Sequence, residues 1–532
     1  MNFRLFFLIF IFTLLYGGLG FRLYELQITK NQDFIDKVHA REEIAAQLEL
    51  RRGNIYFTDR NGTQIPVALN HDRQVIFISP KETEKPVYAA ELLALPTGIA
   101  KDVIFKKISS KPQSSFEMLL EKPSEEQIKT ISQLKIKGVK IQNKQYRFYQ
   151  YDELASQLIG FVGVNDKNDK PRGLYGTEKF YDNSLGKGGN LELTIDRNIQ
   201  KQSEQVLAKL VQTFGAVRGT VIVEEPVTGK ILALANTPGF NPNEYGKSPV
   251  EDFINFAAQS VYEPGSVFKP FTMAAGIETG VFTPDTTFVD TGSVILNGKK
   301  IQNWNLKAHG RITMTNVIEQ SVNTGAVYAE KLIGNDNFLK YVKKFGFGEK
   351  TGIDLSDEVN GSLKNLENKK ARAVDYATAS FGQGQSVTAI QLVNAFSTLA
   401  NGGLLMRPYL NADLKPEVLR RVVSEETAKK VTAMMESAVE KAHVAAITDY
   451  RVAGKTGTAQ IPNFQSGGYT TDEFFHTFVG FAPVSQPKFV LLIRLEKPKA
   501  ALAGATVVPA FRELAGFILN YYNLPPDKIP AE

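Results

Sequence analysis

The 532-residue chain is 43% hydrophobic and 22% charged, the balance of a globular protein with room for several domains. Its 62 basic and 56 acidic residues leave a net charge of only +6, and no long basic run with interleaved aromatic residues indicates a nucleic-acid partner. The chain has no cysteine, which excludes thiol catalysis and disulfides, and its five histidines lack ligand spacing, so the sequence predicts neither a metal site nor a cofactor.

An uncharged apolar run, LFFLIFIFTLLYGGLGF, occupies residues 5–21. A helix of this length measures about 26 Å, which matches the hydrocarbon core of a membrane. A cleaved signal peptide is the alternative, because Gly18 and Gly20 resemble a small-residue cleavage site. The run is longer than a typical signal segment, so we predict an uncleaved single-pass anchor. Residues 1–4 would form a cytoplasmic stub, and the chain from residue 22 would lie outside the membrane.

Residues 22–190 are mixed in character and strongly charged, and we predict that they form a separate N-terminal α+β domain. Helical patterns cover residues 31–50 and 124–134, and QVIFIS at 74–79 has the composition of a short strand. The region contains no motif of catalytic type. Any chemistry is therefore expected in the remainder of the chain.

A second domain is predicted at residues 191–525, followed by a tail at 526–532. It begins with a helical pattern at 196–214 and a β-hairpin at 219–235. Further elements are predicted as helices at 266–279, 316–332, 389–401, 425–442 and 509–521, and as strands at 451–460, 477–481 and 488–495. Strands at both ends with helices between them predict an α+β domain whose single antiparallel sheet is completed by both ends of the domain.

Ser-x-x-Lys, the spacing that places a serine and a lysine one helical turn apart, occurs four times in the chain. The copies are Ser132/Lys135, Ser184/Lys187, Ser266/Lys269 and Ser485/Lys488. Only the third has a special position. Proline is tolerated only in the first turn of a helix, so Pro270 predicts that the helix starts close to Ser266. The Ser266 hydroxyl then lies at the positive end of the helix dipole, with Lys269 on the same face. The others fall on an ordinary amphipathic helix, in a glycine-rich loop and in a turn between strands.

A nucleophilic serine needs a base, and no histidine of the chain has an evident Asp or Glu orienter. Lys269 can serve if its pKa falls from about 10.4 towards neutrality, which burial and a second cation would cause. Lys455, in the strand-like segment RVAGKTGTAQ, is the predicted second cation, and Gly457 would let a ligand backbone approach that strand. A phosphate-binding loop is rejected here, because Asp449 stands where its first glycine belongs.

Ser321 and Asn323 form the only Ser-x-Asn of the chain, at a predicted helix boundary where both side chains would face a cleft. An isolated triplet of this kind is usually a polar helix cap. This one lies between the two lysine motifs, which favours a functional role. Trp304 and His309, in NWNLKAHG, are predicted to shape the rim of the cleft, although packing is the commoner role for such residues.

Ser-x-x-Lys, Ser-x-Asn and Lys-Thr-Gly in this order are the signature of penicillin-binding proteins and serine β-lactamases. The segments EPGSVFKPF, ILALANTPGFNPNEY, SFGQGQSVTAIQL, LANGG and KTGTAQ resemble class B penicillin-binding proteins in particular. RRGNIYFTDRNG at 51–62 and GLYGTEKFYDNSLGKGG at 173–189 are similar to the motifs of the N-terminal pedestal of that class, so the resemblance covers most of the chain. It implies that residues 22–190 form this pedestal, an extended α+β domain for dimerisation or interaction. It also implies a transpeptidase domain of the serine β-lactamase-like fold, with a central antiparallel sheet flanked by helices.

The resemblance further implies a penicillin-sensitive D,D-transpeptidase that cross-links peptidoglycan. In this interpretation Ser266 attacks the D-Ala-D-Ala carbonyl and Lys269 takes its proton. Ser321 relays a proton towards the leaving D-Ala, and Asn323 holds the substrate amide and contacts Lys269.

The third motif would bind the end of the substrate. Lys455 would supply positive charge, and the hydroxyls of Thr456 and Thr458 would bind the terminal carboxylate. Gly457 and Gln460 complete the predicted substrate-binding strand. The backbone N–H groups of Ser266 and Thr458 would form the oxyanion hole.

The partners implied are peptidoglycan stem peptides on lipid-linked glycan strands, β-lactams as inhibitors, a SEDS-family glycan polymerase and other membrane proteins of the divisome or elongasome. The location implied is the bacterial cell membrane, with the catalytic domain extracytoplasmic. We favour a role in septal synthesis over an elongation-type role. Two alternatives keep the same fold: a D,D-carboxypeptidase or β-lactamase, which is disfavoured because the Glu-x-x-Leu-Asn deacylation motif is absent, and an inactive scaffold or sensor, which the intact motifs disfavour.

Overall fold

The computed structural model describes residue 15 and residues 52–164, 171–443, 445–463 and 467–528. The predicted anchor at 5–21 lies outside this part of the chain except for Leu15, and so does the helix predicted at 31–50. Within the described ranges, no helix combines the length and the apolar character needed to cross a membrane.

The pedestal is built around a five-stranded sheet with the order β3-β2-β1-β7, in which β4 also pairs with β2. The strands of the pedestal are β1 (Ile55–Thr58), β2 (Ile65–Ile78), β3 (Glu117–Leu120), β4 (Val139–Tyr149), β5 (Val162–Val164), β6 (Pro171–Gly173) and β7 (Leu191–Asp196). β7 begins at the predicted domain boundary, yet it pairs in parallel with β1 of the pedestal. The position of that boundary stays a prediction.

Helices flank the pedestal sheet. They are α1 (Pro86–Thr97), α2 (Lys101–Ser110), α3 (Glu125–Gln133), α4 (Ser156–Ile159), α5 (Gly176–Phe180) and α6 (Asp182–Gly186). The helix predicted at 124–134 is α3, which begins at a capping box because the Ser124 hydroxyl accepts a hydrogen bond from the Gln127 amide and the Gln127 side chain accepts one from the Ser124 amide. The loop predicted around Ser184 is wrong in part. Ser184 lies in the one-turn helix α6, and the glycine-rich stretch continues beyond it.

A buried charge cluster ties the pedestal together. The Glu178 carboxylate, fully buried, lies 2.5 Å from Arg52 Nε and 2.7 Å from Arg147 Nε. Removing one partner of such a buried group would leave an uncompensated charge, which makes this cluster a strong constraint on how β1, β4 and α5 pack. Arg52 and Glu178 belong to the two segments that resemble class B motifs, and the ion pair joins those segments in the fold.

The second domain contains a five-stranded sheet with the order β18-β19-β20-β8-β9, antiparallel throughout. Its strands are β8 (Arg218–Glu224), β9 (Ile231–Thr237), β18 (Ala453–Pro462), β19 (Tyr469–Ala482) and β20 (Phe489–Glu496). β8 and β9 come from the beginning of the domain and the other three from its end. The predicted hairpin and the predicted sheet are therefore confirmed.

Helices cover both faces of this sheet. They are α7 (Arg197–Phe214), α8 (Lys269–Glu278), α9 (Met314–Glu319), α10 (Asn323–Ile333), α11 (Asn335–Lys344), α12 (Lys364–Glu367), α13 (Ala373–Ala379), α14 (Ala389–Ala400), α15 (Glu425–Ala442) and α16 (Val507–Tyr521). Apolar side chains of α7 and α16, among them Leu207 and Phe511, pack with Val221 and Ile493 on one face. The helix that follows Ser266 packs on the other face, where Phe268 and Phe271 are buried.

Short strands connect the helices of the second domain. They are β10 (Val261–Tyr262), β11 (Thr287–Asp290), β12 (Ser293–Leu296), β13 (Lys299–Gln302), β14 (Gly310–Thr313), β15 (Val387–Thr388), β16 (Leu404–Met406) and β17 (Val418–Arg421). β11 pairs with β14, and β12 pairs with β13 inside that hairpin. These two pairs bring the segment after β13 next to the start of α10.

Two predicted helices differ in detail from the structure, and both carry site residues. The helix predicted at 266–279 starts as a 3-10 turn, Gly265–Phe268, before α8 begins at Lys269. The single helix predicted at 316–332 is wrong: the segment forms α9 and α10, separated by a turn in which Ser321 has a φ of 55°.

Candidate active site

Ser266 lies in the 3-10 turn that leads into α8, at the N-terminal end of a largely buried helix. The preceding residue, Gly265, has a φ of +62°, and a Cβ there would lie 2.9 Å from the Cβ of Ala459 on β18. Its N–H donates to the Gly382 carbonyl at 3.0 Å. The turn is thus clamped between strand β18 and the SFGQGQ segment, and only glycine meets the steric and conformational demands at 265.

Lys269 is fully buried and connects the first two motifs. Its Nζ lies 2.9 Å from Ser266 Oγ, 3.1 Å from Ser321 Oγ and 2.9 Å from Asn323 Oδ1. It also donates to the Ser321 carbonyl at 2.7 Å. One amine therefore meets the candidate nucleophile and both polar residues of the Ser-x-Asn motif, as a shared base would.

The two motif lysines have strongly perturbed pKa values. Burial, with the positive charge of Lys455 as the second cause, holds the pKa of Lys269 well below its usual range. Burial lowers the pKa of Lys455 to about 7. Lys269 is thus the lysine that is neutral and able to accept a proton, while Lys455 keeps its charge below about pH 7 and disfavours a charge on Lys269.

Ser321 occupies the turn between α9 and α10 in the left-handed region, with a φ of 55°. A non-glycine residue in this region costs on the order of 1–3 kcal/mol, so surrounding contacts must hold it there. Its hydroxyl lies 3.1 Å from both Lys269 Nζ and Lys455 Nζ. The strained turn therefore aims one hydroxyl at two lysines, which suits a group that passes a proton from one site to another.

The third motif lies on β18, at the edge of the sheet. Lys455 is buried, whereas Thr456, Thr458 and Gln460 are half-buried. Thr458 Oγ1 accepts a hydrogen bond from the Ala503 amide at 3.2 Å, and Gln460 Nε2 donates to the Thr470 carbonyl across the β18–β19 hairpin at 3.1 Å. The structure thus brings Lys455 to the other motifs directly, and it arranges the rest of the predicted substrate strand along the same edge.

Packing within the protein requires glycine at position 457, which sequence analysis did not predict. A Cβ at this position would lie 2.9 Å from the Pro264 carbonyl oxygen and 3.0 Å from Val267 Cγ1. The atoms that it would meet belong to the turn that carries Ser266. Glycine at 457 therefore permits β18 to approach that turn, as an oxyanion hole formed by the N–H groups of Ser266 and Thr458 would require.

The other copies of the motifs do not converge on this site. Ser132 is exposed and its hydroxyl donates to the Lys129 carbonyl at 2.7 Å, while Lys135 lies beyond the end of α3. In the second Lys-Thr-Gly, Thr351 is buried and donates to Glu358 at 2.6 Å. These contacts are those of ordinary local structure.

The prediction that no histidine has a carboxylate orienter is wrong. His309 Nδ1 lies 2.7 Å from Asp290 Oδ2. Its Nε2 lies 3.3 Å from the side-chain nitrogen of Asn305, and among the described residues no serine hydroxyl contacts that ring. The Trp304 indole is 58% exposed and its Nε1 donates to the Gln320 carbonyl, next to Ser321. Trp304 therefore lies beside the Ser-x-Asn motif, and the roles of Trp304 and His309 at the rim of the cleft stay predictions.

Glu263 is a further residue of the site to which the sequence assigned no role. Its carboxylate accepts hydrogen bonds from the Gly384 amide at 3.0 Å and from the Tyr469 hydroxyl at 2.9 Å. It thereby joins the segment before Ser266 to the SFGQGQ segment and to β19. The two glycines of SFGQGQ were the available sequence signal for this contact, since glycine often marks a close backbone approach. In the structure both have a positive φ.

Two family models match the chain. The model of the penicillin-binding protein transpeptidase domain matches residues 219–516, more than half of the chain. The model of the penicillin-binding protein dimerisation domain matches residues 48–234. Together they cover the pedestal and the second domain.

Individual proteins agree with these matches. Stage V sporulation protein D of Bacillus subtilis is 32% identical over 502 residues, which cover 86% of this chain and 76% of that protein. Peptidoglycan D,D-transpeptidase FtsI of Buchnera aphidicola is 30% identical over 553 residues, which cover 95% of this chain and 93% of that protein. A crystal structure of penicillin-binding protein 3 from Mycobacterium tuberculosis, complexed with aztreonam, has a TM-score of 0.69 at 24% identity and covers 90% of this chain and 97% of that one. At that identity, the structural likeness shows the shared fold.

Proposed function

The chain belongs to the class B penicillin-binding proteins, and we propose that it cross-links peptidoglycan stem peptides in septal cell-wall synthesis through an acyl-enzyme on Ser266. It is a serine D,D-transpeptidase, and β-lactams are its expected inhibitors. The observation that supports this mechanism best is the position of Lys269 Nζ, buried and within 2.9 Å of Ser266 Oγ.

In the first step, neutral Lys269 accepts the Ser266 proton while the Ser266 oxygen attacks the carbonyl carbon of D-Ala-D-Ala. The carbonyl oxygen becomes an oxyanion, which the N–H groups of Ser266 and Thr458 would stabilise by a few kcal/mol. The C–N bond then breaks, and the leaving D-Ala nitrogen needs a proton. Ser321 can pass that proton on, since its hydroxyl lies 3.1 Å from Lys269 Nζ.

The acyl-enzyme ends when an amine of a neighbouring stem peptide attacks the ester carbonyl. The same groups act in reverse: the amine loses a proton towards Lys269, and the Ser266 oxygen regains one as the new amide forms. Lys455, with Thr456 and Thr458, would bind the terminal carboxylate of the donor peptide. This role fits the charge that Lys455 keeps below about pH 7.

The membrane anchor at 5–21, an extracytoplasmic catalytic domain and a SEDS-family polymerase partner that meets the anchor and pedestal are part of the proposal. The domain limits at 22–190 and 191–525 and the tail at 526–532 belong to it as well. Depletion of the protein in its source bacterium would test the septal role. Cells that grow as filaments would support it, and cells that round up at normal length would assign the enzyme to elongation.

The chemical proposal is tested by intact mass after incubation with a penicillin. A stable adduct of the mass of the drug is expected for the wild type and for Ser132→Ala, and no adduct is expected for Ser266→Ala. Ser132→Ala is the matched control, because it alters a Ser-x-x-Lys copy whose serine is exposed. An adduct that persists in Ser266→Ala would contradict the assignment of the nucleophile, and rapid loss of the adduct from the wild type would indicate a hydrolase.

A further inference from the structure

Three consecutive residues, the last of β13 and the two that follow it, hold the Ser321 turn from outside. The Gln302 carbonyl accepts from Asn323 Nδ2 at 2.9 Å, and Trp304 Nε1 donates to the Gln320 carbonyl at 3.1 Å. Between them, Asn303 Oδ1 accepts from the Thr324 amide at 3.2 Å. The residues on both sides of Ser321 are therefore tied to one short segment that is distant in sequence.

The buried carboxylate of Asp290 organises that segment. It accepts hydrogen bonds from Thr324 Oγ1 at 2.6 Å, from Asn303 Nδ2 at 2.8 Å and from His309 Nδ1 at 2.7 Å. Two backbone amides, of Gly292 and His309, also donate to it, each at 2.9 Å. Since an ionised carboxylate only accepts hydrogen bonds, each of these donors is held in one orientation.

The consequence reaches Lys269 through the side-chain amide of Asn323. Its Nδ2 is engaged by Gln302, so its Oδ1 must face the other way, and there it lies 2.9 Å from Lys269 Nζ. A rotated amide would present N–H groups to that amine instead of an acceptor. The orientation of Asn323 and the strained backbone of Ser321 are thus both fixed by contacts outside the three motifs.

We propose that Asp290, Asn303, Trp304 and Thr324 are positioning residues that hold Ser321 and Asn323 against Lys269 before substrate binds. The inference rests on the proposed function, because it concerns the geometry of the same base. None of the four forms a hydrogen bond with Lys269, whose Nζ bonds are to Ser266, Ser321 and Asn323. Their contribution is to the rate of acylation and not to substrate affinity, since the turn must keep its shape while protons move.

Thr324 offers the sharpest test, because valine has its shape without the hydroxyl and serine keeps the hydroxyl. The rate constant of acylation and the noncovalent Kd would be measured with a fluorescent penicillin, together with the melting temperature of each full-length variant. Thr324→Val is expected to lower the acylation rate constant about tenfold with Kd unchanged, and Thr324→Ser is expected to stay within about twofold of the wild type. Thr398→Val is the matched control: it removes another buried threonine hydroxyl, which donates to the Asn394 carbonyl within α14, a helix that carries none of the three motifs.

A second variant keeps the inference testable if Thr324→Val does not fold. Trp304→Phe replaces the indole by a smaller ring without the N–H that donates to the Gln320 carbonyl, and the side chain is more than half exposed, so little packing is lost. It is expected to slow acylation at least threefold with an unchanged melting temperature. Wild-type acylation rates in Trp304→Phe, or in a folded Thr324→Val, would overturn the inference, and so would a Thr324→Ser that is as slow as Thr324→Val. Failure of the proposed function looks different, since the wild type itself would then form no adduct that depends on Ser266.

Discussion

Replacing Lys455 with methionine should stabilise the protein more at pH 6 than at pH 9. The lysine is buried, and its pKa lies at about 7 compared with 10.5 in an exposed lysine. At 1.36 kcal/mol per pH unit, this difference corresponds to about 5 kcal/mol by which the folded state disfavours the protonated side chain. Methionine has a similar length and no charge, so Lys455→Met removes this free-energy cost of folding.

The sign and the pH window follow from proton linkage. Below about pH 7, Lys455 is protonated in both states, and the full term of about 5 kcal/mol opposes folding. Between pH 7 and 10.5 the unfolded state binds more protons than the folded state, so the stability of the wild type rises with pH. At pH 9, the free energy by which Lys455 opposes folding has fallen to about 2 kcal/mol. Removal of Lys455 also relieves repulsion on Lys269, which acts in the same direction.

Thermal unfolding of the wild type and of Lys455→Met at pH 6 and pH 9 measures this difference. Relative to the wild type, the free energy of unfolding of the variant should increase by about 3 kcal/mol more at pH 6 than at pH 9. This corresponds to about 6 °C in melting temperature for a domain of this size. The lost hydrogen bond to Ser321 Oγ lowers both values by the same amount. Lys429→Met is the control, since that side chain is 75% exposed, and it should show no such difference. An equal offset of Lys455→Met at the two pH values would refute the depressed pKa.

Two other substitutions test the chemistry and the packing of the site. Lys269→Arg keeps a positive charge but cannot deprotonate near neutrality, so intact mass should show no penicillin adduct while circular dichroism shows a folded chain; normal acylation would mean that another group takes the Ser266 proton. Gly457→Ala should lower the acylation rate more than tenfold, because its Cβ would lie 2.9 Å from the Pro264 carbonyl oxygen. Gly516→Ala, where an added Cβ meets nothing within 4 Å, should acylate at the wild-type rate. Equal rates in the two alanine variants would show that β18 does not need its close approach to the turn.

The parts of the fold that the sequence predicted well depend on local signals. Pro270 predicted the start of α8 to within one turn, because proline is tolerated in the first turn of a helix and disrupts any later turn. The hairpin of β8 and β9 followed from two aliphatic runs around a turn, and α15 has the predicted bounds. The proximity of Lys455 to Lys269 was predicted from chemical need, since a lysine base requires a depressed pKa.

The predictions that failed depend on contacts between distant segments. His309 follows β13 and precedes β14, and its partner Asp290 ends β11, the strand that pairs with β14. Asp290 lies opposite Gly310 in that pairing, which places the neighbouring His309 beside the carboxylate. The residues around Asp290 and those around His309 contain no signal that predicts this pairing of β11 with β14. A search for an orienter near the histidine in sequence could not have found it.

The broken helix at Ser321 has the same origin and a functional meaning. The segment VIEQSVNTGAVYAEKL contains no proline, and its glycine comes after the break, so helical periodicity continues through the position where the chain turns. The left-handed backbone of Ser321 is unfavourable by itself, and it exists because Gln302, Trp304 and the Asp290 network hold its neighbours. A continuous helix would carry the Ser321 hydroxyl away from the two lysines. The local rule therefore fails at the residue where the site needs a geometry that local preference opposes, and the contacts that enforce this geometry are the place to look for residues that tune the reaction.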